Sequence, residues 1–228
     1  FVKPFYEKYD YHVDYVGHPL IDAIQSRKKI DEATFKKQHD LDSKPIIALL
    51  PGSRKQEITS MLAGMLSVVK DFPDYQFVIA GAPSQDYEFY ASFITNKNIK
   101  FISNKTYDLL NIATAALVTS GTATLETALF KVPEVVCYKG SWLSYQIAKR
   151  IITLKYISLV NLVMDEEVVT ELIQEDFNYK NIKKELEKIL EPSYRKKLLS
   201  NYTILEQKLG GVGASEKTAS LIISELKK

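Results

Sequence analysis

The chain has 228 residues, of which 46% are hydrophobic and 25% charged, enough for one substantial core and with the make-up of a soluble globular domain. Thirty basic against 28 acidic side chains leave a net charge of +2, which excludes a general electrostatic attraction to nucleic acid or anionic lipid. The single cysteine, Cys137, excludes an intramolecular disulfide, and no apolar stretch approaches the roughly 20 residues that span a bilayer. A cytoplasmic protein is therefore expected, with any basic site local. The first residue is Phe1 and the opening segment reads as the inside of a domain, so a piece of a longer protein is expected.

Along the chain, short apolar runs rich in β-branched residues alternate with stretches of helical spacing. Strands are expected at residues 13–16, 46–50, 76–80, 99–102, 115–118 and 134–137, and Cys137 is read as a buried strand residue. Helices are expected near 20–26, 57–70, 86–94, 107–112, 124–130 and 143–152. This order predicts an α/β fold, a Rossmann-like parallel sheet with helices on both faces. From about residue 166 the pattern becomes helix alone, with candidates at 168–173, 178–190, 194–209 and 214–226. Gly210-Gly211-Val212-Gly213 follows a helix rather than a strand, so it reads as a helix break and not as a dinucleotide loop.

Four strand ends carry clusters of small or turn-forming residues: Gly17-His18-Pro19, Pro51-Gly52-Ser53, Gly81-Ala82-Pro83 and Thr119-Ser120-Gly121. In an open α/β sheet the ligand crevice lies outside the carboxyl ends of the strands, so these clusters should line one edge. Pro51-Gly52-Ser53-Arg54 ends a strand at a helix start. Its unpaired backbone N–H groups and the Arg54 fork suit a diphosphate, although a plain βα turn with a surface arginine has the same local sequence. Ser120, Gly121 and Thr122 repeat the arrangement, and Glu126, one turn into the following helix, can accept from the vicinal hydroxyls of a ribose or simply complement the helix dipole. His18 can donate to a phosphate or a sugar hydroxyl, or can be a turn residue. The three histidines and one cysteine show no metal-ligand spacing. The segment 142–157, from Trp142 to Ile157, mixes aromatic and branched apolar residues with three bases; it reads first as a helix packed on the sheet with its cations on the wet face, and it also suits a membrane surface.

Taken in order, Tyr15-Val-Gly17-His18-Pro19-Leu20, Leu49-Leu50-Pro51-Gly52-Ser53-Arg54 with Glu57, and Thr119-Ser120-Gly121-Thr122-Ala123-Thr124-Leu125-Glu126 resemble the carboxyl-terminal half of lipid-A-disaccharide synthases. Tyr156-Ile-Ser-Leu-Val-Asn161-Leu-Val and Glu171-Leu172-Ile-Gln174 continue the resemblance. It implies one half of a GT-B glycosyltransferase of the inverting type. The substrates implied are UDP-2,3-diacylglucosamine as donor and lipid X, 2,3-diacylglucosamine 1-phosphate, as acceptor. Residues 1–228 would be the donor-binding domain with a helical tail from about 166. The acceptor domain, with the catalytic base, would lie outside the chain.

On the same resemblance Gly52, Ser53, Arg54, Ser120, Gly121 and Thr122 would hold the diphosphate, with Arg54 stabilising the leaving group and Glu126 taking the ribose. Asn161 and Gln174 would lie near the sugar or the domain cleft. No metal or other cofactor is needed. The resemblance also implies peripheral contact with the inner face of the cytoplasmic membrane, through 142–157. It makes Leu221, Ile222, Ile223 and Leu226 of the last helix candidates for a homodimer contact. A UDP-N-acetylglucosamine epimerase, a related UDP-sugar transferase and a non-catalytic nucleotide-binding module are the competing readings.

Overall fold

The computed structural model describes residues 2–28, 30–96, 98–140 and 155–227. Six parallel strands form one sheet: β1 (Ile46–Leu50), β2 (Gln76–Gly81), β3 (Ile99–Ser103), β4 (Ala115–Thr119), β5 (Glu134–Tyr138) and β6 (Glu171–Ile173). Their order across the sheet is β3-β2-β1-β4-β5-β6, and every adjacent pair is parallel. This is the doubly wound order, in which the order of strands reverses between β1 and β4 and opens a crevice at their carboxyl ends.

The strands are apolar without alternation because both faces are covered. Ile47, Leu49, Phe77, Ile79, Ala115 and Leu117 point into one core, and Ile46, Ala48, Leu50, Val78, Ala116 and Val118 into the other. The first core is closed by α4 (Lys55–Leu66), α7 (Thr122–Leu129), α9 (Tyr179–Leu190) and α10 (Pro192–Lys208), through residues such as Met61, Leu125, Leu186 and Leu205. The second is closed by α3 (Glu32–Gln38) and α6 (Thr106–Ile112), through Phe35, Leu109 and Leu110. Each such side chain contributes about 1.5–3 kcal/mol by leaving water. Both faces of the sheet are thereby fixed, and with them the strand ends that carry the loops. The remaining described helices are α1 (Val2–Glu7), α2 (Pro19–Gln25), α5 (Tyr87–Ala91), α8 (Leu159–Met164) and α11 (Ala214–Leu226).

Three expectations are corrected. Residues 13–16 form no strand: they run extended but join no ladder, and the Tyr15 hydroxyl and His18 N–H donate to the Leu209 carbonyl instead, at 3.0 and 2.9 Å. Residues 168–173, read as helix, end in the edge strand β6, so the region beyond 166 is not helix alone. Val168-Val169-Thr170 precede the strand; pairing of Glu171, Leu172 and Ile173 with Val136, Cys137 and Tyr138 of β5 makes it, and a six-residue stretch is too short to show a helical period against it. Helices α1, α3 and α8 stand where none was expected. Asp31 caps α3 by accepting from Thr34 N–H at 2.9 Å, and Ser158 caps α8 by accepting from Asn161 N–H at 3.2 Å.

The glycine-rich stretch does break the chain between α10 and α11. Gly210 and Gly213 take φ of 89° and 95°, and the Asp22 carboxylate accepts from Gly213 N–H at 2.6 Å and Ser215 N–H at 2.9 Å. Those contacts hold the Asp22 carboxyl below the usual carboxylate range and dock the start of α11 on α2. The expected helix at 143–152 lies outside the described residues.

Candidate functional site at the sheet switch point

The loops after β1 and β4 are neighbours because β1 pairs with β4, with Leu49 opposite Leu117 and Leu50 opposite Val118. Between them lies a cavity of about 450 Å³, within the range of roughly 300–1,000 Å³ usual for small-ligand sites. The structure thus brings Gly52, Ser53, Arg54, Ser120, Gly121, Thr122 and Glu126 to one cavity.

The two loops are not equivalent. At the start of α4, the Glu57 carboxylate turns back and accepts from the backbone N–H of Ser53 and Arg54, both at 3.3 Å. The expectation of open N–H groups on this loop is therefore corrected: the third helical residue caps the turn, as an acidic residue there commonly does. A second anion beside Glu57 would meet repulsion of about 4 kcal/mol at 4 Å for a near-surface pair. Arg54 is another matter. Its side chain is 84% exposed and reaches Glu57 only at 3.4 Å, so the guanidinium is free to swing onto a ligand across the cavity.

The start of α7 has no side-chain cap. Gly121 stands at its N-cap with φ 153° and ψ −162°, a conformation essentially reserved for glycine, and a Cβ there would meet nothing within 4 Å. Thr124 N–H turns back onto the Gly121 carbonyl at 3.2 Å; the N–H groups that open a helix otherwise have no internal partner, and the helix dipole places positive charge there. The open end of α7 faces the cavity and is suited to an anion. Ser120 does not share in it directly: its hydroxyl donates to the Ile157 carbonyl at 2.8 Å and its N–H to the Cys137 carbonyl at 3.1 Å. It fixes the loop on which Gly121 and Thr122 sit.

Glu126 accepts from the Tyr107 hydroxyl at 2.6 Å. Burial and the Glu126 carboxylate push the Tyr107 phenol far up, so it stays a donor, and the Arg27 guanidinium lies 4.9 Å over its ring while pairing with Asp108 at 2.7 Å. One Glu126 oxygen is thus held from behind and the carboxylate is aimed, leaving capacity for a diol. Sequence reasoning missed Tyr107, which carries no local signal on α6. Nor did it single out Thr119 within its cluster, a residue that lines the cavity and whose buried Oγ1 has no hydrogen-bond partner among the described residues; its place as the last residue of β4 was the available signal.

Comparison with known proteins decides the family. A family model described as lipid-A-disaccharide synthetase matches residues 1–223. The chain belongs to the lipid-A-disaccharide synthase family. Lipid-A-disaccharide synthases of Geobacter sulfurreducens and Syntrophus aciditrophicus are 34% and 37% identical over the whole chain, which covers 61% of the length of each. Among solved structures, the UDP complex of Staphylococcus aureus MnaA aligns with a TM-score of 0.63 at 15% identity, covering 93% of this chain and 54% of that one. The carboxyl-terminal domain of the group 1 glycosyltransferase LpcC of Francisella tularensis aligns at 0.56 with 17% identity, over 83% of this chain and 98% of that domain. These likenesses show the fold, one half of the GT-B architecture.

The three other expected site residues stand apart from the cavity. Asn161 is fully buried in α8: its amide donates to the Val169 carbonyl and Glu171 at 2.8 and 2.9 Å and accepts from Val168 and Val169 N–H. All its hydrogen-bonding capacity is spent on holding β6, so its role is structural and it presents nothing to a ligand. Gln174 follows β6 at the same carboxyl edge, two strand spacings or about 10 Å from β4. Its φ is 51° and its amide nitrogen is buried without a partner among the described residues. His18 caps α2, its Nδ1 accepting from Leu20 N–H at 3.2 Å, and lines a second cavity on another side of α7. The membrane candidate 142–157 lies outside the described residues up to 154; no described helix is long and apolar enough to cross a membrane.

Proposed function

We propose that this chain binds the UDP-linked donor of a glycosyltransferase that moves 2,3-diacylglucosamine from UDP-2,3-diacylglucosamine to lipid X, releasing UDP and lipid A disaccharide 1-phosphate. The observation that carries the proposal is the uncapped N-terminus of α7, opened by Gly121 at the switch point of the sheet, with Glu126 one turn beyond it. The diphosphate sits on the first-turn N–H groups and Arg54 closes over it. As the bond from the anomeric carbon to the β-phosphate oxygen breaks, negative charge grows on that oxygen, and both groups stabilise it without a metal. Glu126, aimed by Tyr107, accepts from the ribose hydroxyls. The unpartnered amide of Gln174 serves the sugar at the same edge. The acceptor hydroxyl gives its proton to a base on the remainder of the enzyme. Support comes from the family match and from the S. aureus protein of the same fold, which holds UDP.

Calorimetric titration tests this reading. UDP is expected to bind one to one, and Glu126→Ala to weaken it about tenfold or more, the loss of a hydrogen bond to a charged group. Arg54→Ala should lower affinity for UDP and leave that for uridine unchanged. Unaltered UDP binding in both variants would place the donor elsewhere. Because donor and acceptor both carry acyl chains, the reaction implies peripheral contact with the inner face of the cytoplasmic membrane.

The proposal extends to a homodimer through α11, where Leu221, Ile222, Ile223 and Leu226 are 40–82% exposed. Sedimentation equilibrium should show concentration-dependent association that Leu226→Glu with Ile222→Glu abolishes; a monomer at every concentration rules it out.

A further inference from the structure

We propose that the second cavity, about 440 Å³ and lined by Leu125, Leu159, Val163 and Leu209, takes an acyl chain of the donor. This rests on the donor reading above and deepens it. The cavity has no lining residue in common with the diphosphate site but is linked to it through two elements. Thr122 lines the first cavity and Leu125, within one turn of it along α7, lines the second. The Ser120 hydroxyl, in the first cavity, holds the Ile157 carbonyl at 2.8 Å, and Leu159, two residues on, lines the second. A ligand whose diphosphate lies at the start of α7 therefore has an apolar chamber within one helical turn.

The lining is aliphatic apart from the Tyr15 ring, His18 and two exposed lysines, Lys3 and Lys208. A hydrocarbon chain gains about fourfold in affinity per methylene buried in such a lining. His18 adds a polar anchor. Its Nδ1 is taken by Leu20 N–H, and burial holds its pKa below the usual imidazole value, so near neutral pH the ring is uncharged with its proton on Nε2. That N–H has no partner among the described residues, and the carbonyl of an ester- or amide-linked acyl chain is an acceptor suited to it.

The test compares UDP, UDP-N-acetylglucosamine and UDP-2,3-diacylglucosamine, the last below its micellar concentration, as ligands of this chain. The acylated donor should bind at least a hundredfold tighter than UDP-N-acetylglucosamine. Val163→Trp, which fills the cavity, should remove at least tenfold of that preference with UDP affinity unchanged, and Leu159→Ala, which enlarges it, about threefold. Retained UDP binding reports that each variant is folded. Equal losses for UDP and the acylated donor, or an unaltered preference, overturn the acyl assignment, as does a wild-type chain that binds UDP but gains nothing from acylation. Failure of the wild type to bind UDP at all overturns the donor reading itself.

Discussion

Replacing Gly121 with alanine is expected to weaken UDP binding at least thirtyfold while the chain still folds. The residue holds φ 153° and ψ −162°, where a Cβ costs about 1–3 kcal/mol in backbone strain. Beyond its two chain neighbours, no atom of the described residues lies within 4 Å of that Cβ, so crowding among them is not what demands glycine there. An alanine can relieve the strain only by rotating the N-cap, and rotation turns the first N–H groups of α7 away from the phosphates. If it stays in place, its methyl group stands in the open space the ligand must enter. Either response costs binding. Calorimetry gives the affinity and urea unfolding the stability, which should fall by about the same 1–3 kcal/mol. Lower stability with unaltered UDP affinity would remove the α7 terminus from the diphosphate site. Gly52 is a useful contrast. Its Cβ would lie 2.8 Å from a Glu57 oxygen at φ 103°, so a substitution there strikes the internal cap of α4 before it reaches a ligand.

The legible part of this molecule is the part where neighbouring residues suffice. The five long strands read directly as apolar runs, because both sheet faces are covered and no alternation hides them. The strand-end clusters around Gly52 and Gly121 read as one edge, because a doubly wound sheet leaves its carboxyl ends open. What the sequence did not show depends on contacts between distant segments. That Glu57 caps its own loop is local and legible in principle as an acidic third residue; that the cap disqualifies one of two similar loops emerges only when both face the same cavity. The same holds for Tyr107, which reaches Glu126 from a helix 19 residues earlier. Asn161 and Gln174 look alike as polar residues in apolar settings, yet one amide is fully paired and the other is not. Edge strand β6 is three residues long and is held by that paired amide, so its pairing, not its composition, makes it a strand.

Glu134→Gln is expected to stabilise the protein, and increasingly so as pH rises. Glu134 begins β5 at the amino edge of the sheet, away from the site; it is fully buried, and neither carboxylate oxygen has a hydrogen-bond partner among the described residues. Burial without a partner disfavours the charged form and pushes its pKa well above the ordinary carboxyl value. The folded chain therefore keeps a proton that the unfolded chain releases. Linkage then fixes the sign: stability is greatest below the unfolded pKa and declines as pH rises from there toward the folded pKa, by at most about 1.4 kcal/mol per pH unit for one proton. The amide of glutamine has no proton to lose and should remove that slope. Urea unfolding at pH 5 and pH 8 should show the wild type losing stability relative to Glu134→Gln, with the denaturant dependence unchanged. Parallel behaviour of the two proteins across that range would mean that Glu134 finds a charge partner the structure does not display. UDP affinity should be the same in both, since the substitution lies at the opposite edge of the sheet from the start of α7. A variant that changes stability without binding is the complement of Gly121→Ala, and together they separate what holds this sheet from what it holds.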